Sequence, residues 1–212
     1  MTSKPDASYL YFGWWLQKDK DDEPTLASVF TGVAGSIEGD GTTALATNPN
    51  TLAGAVTYNG QAAGKFAKSD PLTGGEAGHF TADATLTATF GSAAGAGLAG
   101  TIDNFMANGE AVSWSLSLMR RNWDGTTAGL TAQPADDTDT AGVDESAVGT
   151  VWSINDNAAA ASGTWTAQMY GEMPGNAPDG DGSNVPTSVT GTFRSTFGST
   201  HTMVGAFGAT TD

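Results

Sequence analysis

The stretch "FTADATLTATF", Phe80 to Phe90, alternates without a break. Phe80, Ala82, Ala84, Leu86, Ala88 and Phe90 fall on one side, and Thr81, Asp83, Thr85, Thr87 and Thr89 on the other. A period of two is the signature of a strand with one apolar and one polar face; wound as a helix, the same residues would scatter around the axis. β-branched Thr on the polar face suits a strand and disfavours a helix.

The pattern recurs along the chain. "VSWSLSL" sets Val112, Trp114, Leu116 and Leu118 against Ser113, Ser115 and Ser117. "GTWTAQMY" sets Trp165, Ala167 and Met169 against Thr164, Thr166 and Gln168. "VTGTFRSTF" sets Val189, Gly191, Phe193 and Phe197 against Thr190, Thr192, Arg194 and Thr196, and "HTMVGAFGA" closes the chain in the same way. "GLAGTIDNF" and "AVTYNGQAAGKFA" read as strands broken by Gly, which in a strand marks a bulge, a bend or a close backbone approach. "AVGTVWSIND" offers one more strand. Asn108-Gly109 is a hairpin signal, and Gly198-Ser199 separates the last two strands. Strand following strand through short turns predicts an antiparallel meander.

About eight strands from Ala53 to Ala209 follow from this tally, with one or two before them. Long strands with one apolar face want closure, because an open sheet leaves sticky edges. Small Ala and Gly mixed with large Phe, Trp and Leu is what fills a narrow barrel. The expected architecture is all-β: an eight-stranded antiparallel barrel over residues 51–212, preceded by an N-terminal β-rich segment over 1–50. A β-sandwich is the alternative. The acidic and Pro/Gly-rich stretches Ala132 to Ser146 and Glu172 to Pro186 read as loops outside the barrel.

Charge narrows the partners. With 23 acidic residues against 8 basic, the net charge of −15 repels phosphate backbones and anionic membranes. No Cys is present, which removes thiol chemistry and Cys-ligated metals. No apolar run is long enough for a spanning helix. A membrane-spanning barrel needs a bulky lipid-facing surface, whereas here the apolar face is rich in Ala and Gly and the other face is Thr and Ser.

"GHFTADATLTATFG", "GTIDNF", "GTWTAQMYGE" and "PTSVTGTFRSTF" with the terminal "VGAFGA" together resemble the β-barrel domain of transferrin-binding protein B-like proteins, over roughly Ala53 to Ala209. That resemblance implies an up-and-down eight-stranded barrel filled by side chains, with a β-rich handle packed beside it. It implies exposure at a bacterial surface, and binding of a host iron-carrying protein, a haem group or an outer-membrane receptor, with no catalysis. The family's lipid-bearing N-terminal Cys is missing here. No residue of this chain matches a known host-protein contact.

Catalysis is not expected from the residues themselves. No Gly-x-Ser-x-Gly elbow is present, and only His79 and His201 could act as bases. Read functionally, these two histidines are candidate haem-iron ligands; read structurally, they are ordinary strand-end residues. Asp179 and Asp181 in "PDGDGSN" alternate as calcium ligands do, though the distal bidentate Glu of the full motif is absent. The densest cluster is "SYLYFGWWLQKDKDDE", Ser8 to Glu23. Tyr9, Tyr11 and Trp15 fall on one side of that strand, and Leu10, Phe12, Trp14 and Leu16 on the other. Two apolar faces mean burial on both sides, or one packed face and one binding face. Tyr9, Tyr11, Trp14 and Trp15 are therefore the candidate partner-binding residues, since Tyr and Trp dominate binding hot spots. A haem or small-solute binder, and a structural barrel of a larger exported protein, are the alternative functions.

Overall fold

A computed structural model describes residues 9–18, 24–34, 48–68, 75–93, 95–123, 149–158, 163–170, 186–198 and 201–211. It is built of antiparallel strands: β1 (Tyr9–Lys18), β2 (Pro24–Ala34), β3 (Ala55–Lys68), β4 (Glu76–Thr89), β5 (Gly97–Ala107), β6 (Glu110–Ala111), β7 (Trp114–Arg121), β8 (Thr150–Ile154), β9 (Asn157–Ala158), β10 (Thr164–Tyr170), β11 (Ser188–Phe197) and β12 (His201–Thr210). β1 and β2 form a two-stranded sheet of their own. The rest form one ten-stranded sheet, ordered β10-β11-β12-β3-β4-β5-β7-β8-β9 with β6 beside β5, and it curls into a half-barrel.

Alternation dictates the curl. In β4, Phe80, Ala82, Ala84, Leu86 and Ala88 are buried on the concave face, while Thr81, Asp83, Thr85 and Thr87 are exposed. The strand is longer than its apolar pattern suggests and begins at Glu76. β3 is also longer: Gly60 and Gly64 do not break it, and it runs unbroken over 14 residues. The reason lies in the next layer. Gly64 pairs with Phe80 on one side and Gly205 on the other, and Gly205 pairs with Phe193. The rings of Phe80 and Phe193 close over the two glycines, with centroids 6.1 Å apart. A β-carbon on Gly205 would stand 2.5 Å from Phe193 Cζ and 2.8 Å from Phe80 Cζ, far inside contact distance. These glycines give the rings room.

The Asn108-Gly109 hairpin forms as its sequence predicts. Asn108 (φ 52°) and Gly109 (φ 87°) both take the left-handed conformation of a type I′ turn between β5 and β6. The Asn108 side chain accepts from the His79 backbone N–H and donates to Glu76 Oε1, both at 3.2 Å.

No ladder joins β8 to β10 among the described residues. Side chains cross that seam. Trp165 Nε1 donates to the Met119 carbonyl (3.0 Å), the Arg121 guanidinium donates to the Trp165 carbonyl, and Thr150 Oγ1 donates to the Arg194 carbonyl (3.3 Å). Gly163 is required there, because a β-carbon on it would meet Thr150 Oγ1 at 1.8 Å.

One polar face departs from expectation. Alternation puts Ser188, Thr190, Ala206 and Gly208 on the convex side of β11 and β12, where the sequence pattern predicts solvent for Thr190. All four are buried. The β1–β2 hairpin meets the same strands, with β1 against β12 and β3 and β2 against β11 and β12. Small residues on the convex side leave room for a second layer.

Candidate functional site

The concave face is filled. Phe80 packs on Phe105 (centroids 5.2 Å), Phe105 on Trp114 (5.7 Å), and Trp114 on both Phe66 (5.1 Å) and Trp152 (5.3 Å). Trp152 continues to Phe197 and His201, each at 6.2 Å. Most pairs are tilted or edge-on, the arrangement the ring quadrupoles favour. Lys68 Nζ sits 4.8 Å from the Trp114 ring centroid and 3.3 Å from Glu76 Oε2, closing the aromatic end with a cation–π contact and a salt bridge. Among the described residues, Trp152 Nε1 and Ser195 Oγ are buried here without a hydrogen-bond partner.

The opposite end holds two buried polar groups. The Tyr58 hydroxyl donates to the Pro186 carbonyl at 3.0 Å, and burial pushes its pKa well above that of an exposed phenol. Arg121 is buried at the seam, with its guanidinium 6.0 Å from the Trp165 ring. Burial lowers its pKa, and no carboxylate pairs with it among the described residues.

The sequence-predicted candidates scatter. The β1–β2 register divides the aromatic cluster: Tyr9, Tyr11 and Trp15 pair with Ala34, Gly32 and Ser28 on one face, while Leu10, Phe12 and Trp14 pair with Val33, Thr31 and Val29 on the other. A register irregularity between Trp15 and Leu16 then breaks the alternation. His79 is exposed on the convex side of β4. His201 pairs with Lys68, is half-buried and meets Trp152 and Phe197 on the concave side. The two histidines lie on opposite faces of the sheet, so no single haem meets both. Asp179 and Asp181 lie outside the described residues. Among the described residues, no group of three or more His, Cys, Asp or Glu is placed to hold a metal.

Two features escape the sequence pattern. Asp83 and Asp103 are direct cross-strand neighbours on the exposed face, and Asn104 Nδ2 donates to Asp83 Oδ2 at 2.8 Å. Asn104 itself has φ 51°, at the register irregularity between β4 and β5. The second feature is a cavity of about 220 Å³ at the turn after β4, lined by Asn50, Gly91, Ser92, Ala93, Gly95, Ala96, Asn122 and Trp123. Only pairing register or three-dimensional closure brings either set together.

Compared with family models, with curated proteins and with solved structures, the chain matches none.

Proposed function

We propose that this chain is a non-catalytic binding module of a bacterial cell surface: a closed eight-stranded barrel, its seam bridged between β7–β8 and β10–β11, that presents the β1–β2 hairpin as a handle to a protein partner. One observation carries the reading. The concave face is packed with its own rings, so the surfaces left for recognition are the hairpin, the loops and the exposed strand faces. A two-stranded hairpin can lay only one face on the sheet beneath it. In this reading the hairpin backs onto β11 and β12, and the face of β1 that carries Tyr9, Tyr11 and Trp15 meets the partner. Aromatic anchors opposite small residues make a flat platform that costs little side-chain entropy on binding. The acidic surface favours a basic partner and speeds encounter with it.

Capture of the partner by immobilised protein tests the division of faces. Tyr11→Ala with Trp15→Ala abolishes capture and leaves the melting temperature unchanged. Trp14→Ala, on the other face of β1, retains capture. The opposite assignment of effects would refute this reading. A Soret band on titration with haem, undiminished in Tyr11→Ala/Trp15→Ala, would favour the haem-binding alternative.

A further inference from the structure

We infer that the cavity beside Trp123 is a binding site for one acidic sugar unit, a pyranose carrying a carboxylate. It is separate from the hairpin and does not depend on the function proposed above. Its walls are held by backbone bonds: Phe90 N–H to the Gly54 carbonyl (2.9 Å), Gly91 N–H to the Pro49 carbonyl (3.0 Å), and Ala96 N–H to the Ala93 carbonyl (3.0 Å). Gly91 and Gly95 line it at φ 105° and 98°, where a side chain would be strained. The indole of Trp123 is fixed, since its Nε1 donates to the Thr89 carbonyl (2.9 Å) and its ring stacks on Phe90 at 5.8 Å and 11°. The Trp123 side of the site is therefore held in place by the protein's own contacts.

Chemistry selects the ligand. Asn50, Ser92 and Asn122 line the cavity, and none of their side chains has a hydrogen bond within the protein among the described residues. Two carboxamides and a hydroxyl supply both donors and acceptors, which is what a ring of hydroxyl groups requires. Among the described residues, no charged residue lines the wall. At about 220 Å³ the cavity is smaller than the roughly 300–1,000 Å³ of sites for drug-sized ligands, and suits a single small ring. Arg120 adds the charge preference. It is exposed, and its Nη1 lies 3.4 Å from the place a Gly95 β-carbon would occupy, at the rim. No salt bridge engages it among the described residues, so its planar fork is free to take a carboxylate. In a chain of net charge −15, Arg120 at this rim marks a place where an anion is not repelled.

Isothermal titration of the intact protein with D-glucuronate, D-glucose and inorganic phosphate tests this. Saturable glucuronate binding is expected, with glucose about 10-fold weaker and phosphate not competing, a ratio typical of one charge-assisted hydrogen bond. Arg120→Gln removes the preference for glucuronate over glucose. Asn122→Ala weakens both sugars by about fivefold, and neither variant changes the melting temperature. No saturable binding of either sugar, equal binding of the two, displacement of glucuronate by phosphate, or variants that bind like the parent would each overturn the assignment.

Discussion

Gly205→Ala decides whether the rings truly fill the concave face. In a strand whose concave face is open, replacing Gly by Ala removes backbone freedom from the unfolded chain and stabilises by about 0.4–1 kcal/mol. Here the added β-carbon meets Phe193 Cζ at 2.5 Å and Phe80 Cζ at 2.8 Å, against an ordinary carbon contact of about 3.5–4.0 Å. The rings must retreat by about 1 Å. Phe80 cannot do so freely, because Phe105 packs behind it at 5.2 Å. Overpacking of this kind costs about 1–3 kcal/mol, which outweighs the entropic gain, so the net effect is destabilising. Urea unfolding should show a lower midpoint with an unchanged slope. Phe193→Leu in the same chain removes the nearer ring, so the double variant should be more stable than the sum of the two single losses by about 1 kcal/mol. A Gly205→Ala variant as stable as the parent, or more so, would refute the ring-over-glycine packing.

Three further perturbations follow from particular contacts. Tyr58→Phe loses the bond to the Pro186 carbonyl and costs about 1 kcal/mol in a urea titration at neutral pH. The folded-state pKa of Tyr58 lies above the unfolded value near 10, so its contribution is fully present below pH ~10 and is lost as pH rises beyond it; Tyr58→Phe should flatten the alkaline fall in melting temperature. Asn108→Ala strains a positive-φ turn position and removes two side-chain bonds, and should lower stability by about 1–2 kcal/mol, whereas Asn108→Gly should lose less. Trp165→Phe keeps the ring and deletes the donor to Met119; amide exchange should quicken in β7 and β10 while β3 and β4 stay protected.

The strands were legible wherever one face met solvent. β4, β7 and β10 announce themselves by strict alternation, because each has a wet side and a packed side. β3 was harder: Gly60 and Gly64 read as breaks, yet a β-carbon at either would run into the β12 backbone, at Gly208 O (2.0 Å) and Val204 O (2.1 Å), a cross-strand fact that no local pattern encodes. Thr190 misled for the complementary reason. A Thr on a polar face looks solvated, yet this one is fully buried, on a strand that also meets β2. The candidate sites were less legible still. Asp83 and Asp103 are opposed only because of the β4–β5 register, and the sugar-sized cavity joins Asn50, Ser92 and Asn122 from three separate segments. The aromatic strand and the division of its residues between two faces are visible in the sequence, whereas the residues opposite them, Gly32 across from Tyr11 and Val29 across from Trp14, come only from the register.

Site-specific photo-cross-linking tests most directly the claim that recognition takes place on the hairpin and not in the barrel. A benzophenone amino acid replaces Tyr11 in one version of the protein and Phe193, on the packed concave face, in another. Irradiation with the partner present should give a covalent adduct from position 11 and none from position 193. An adduct from position 193, or none from position 11 while the partner remains bound, would contradict the account.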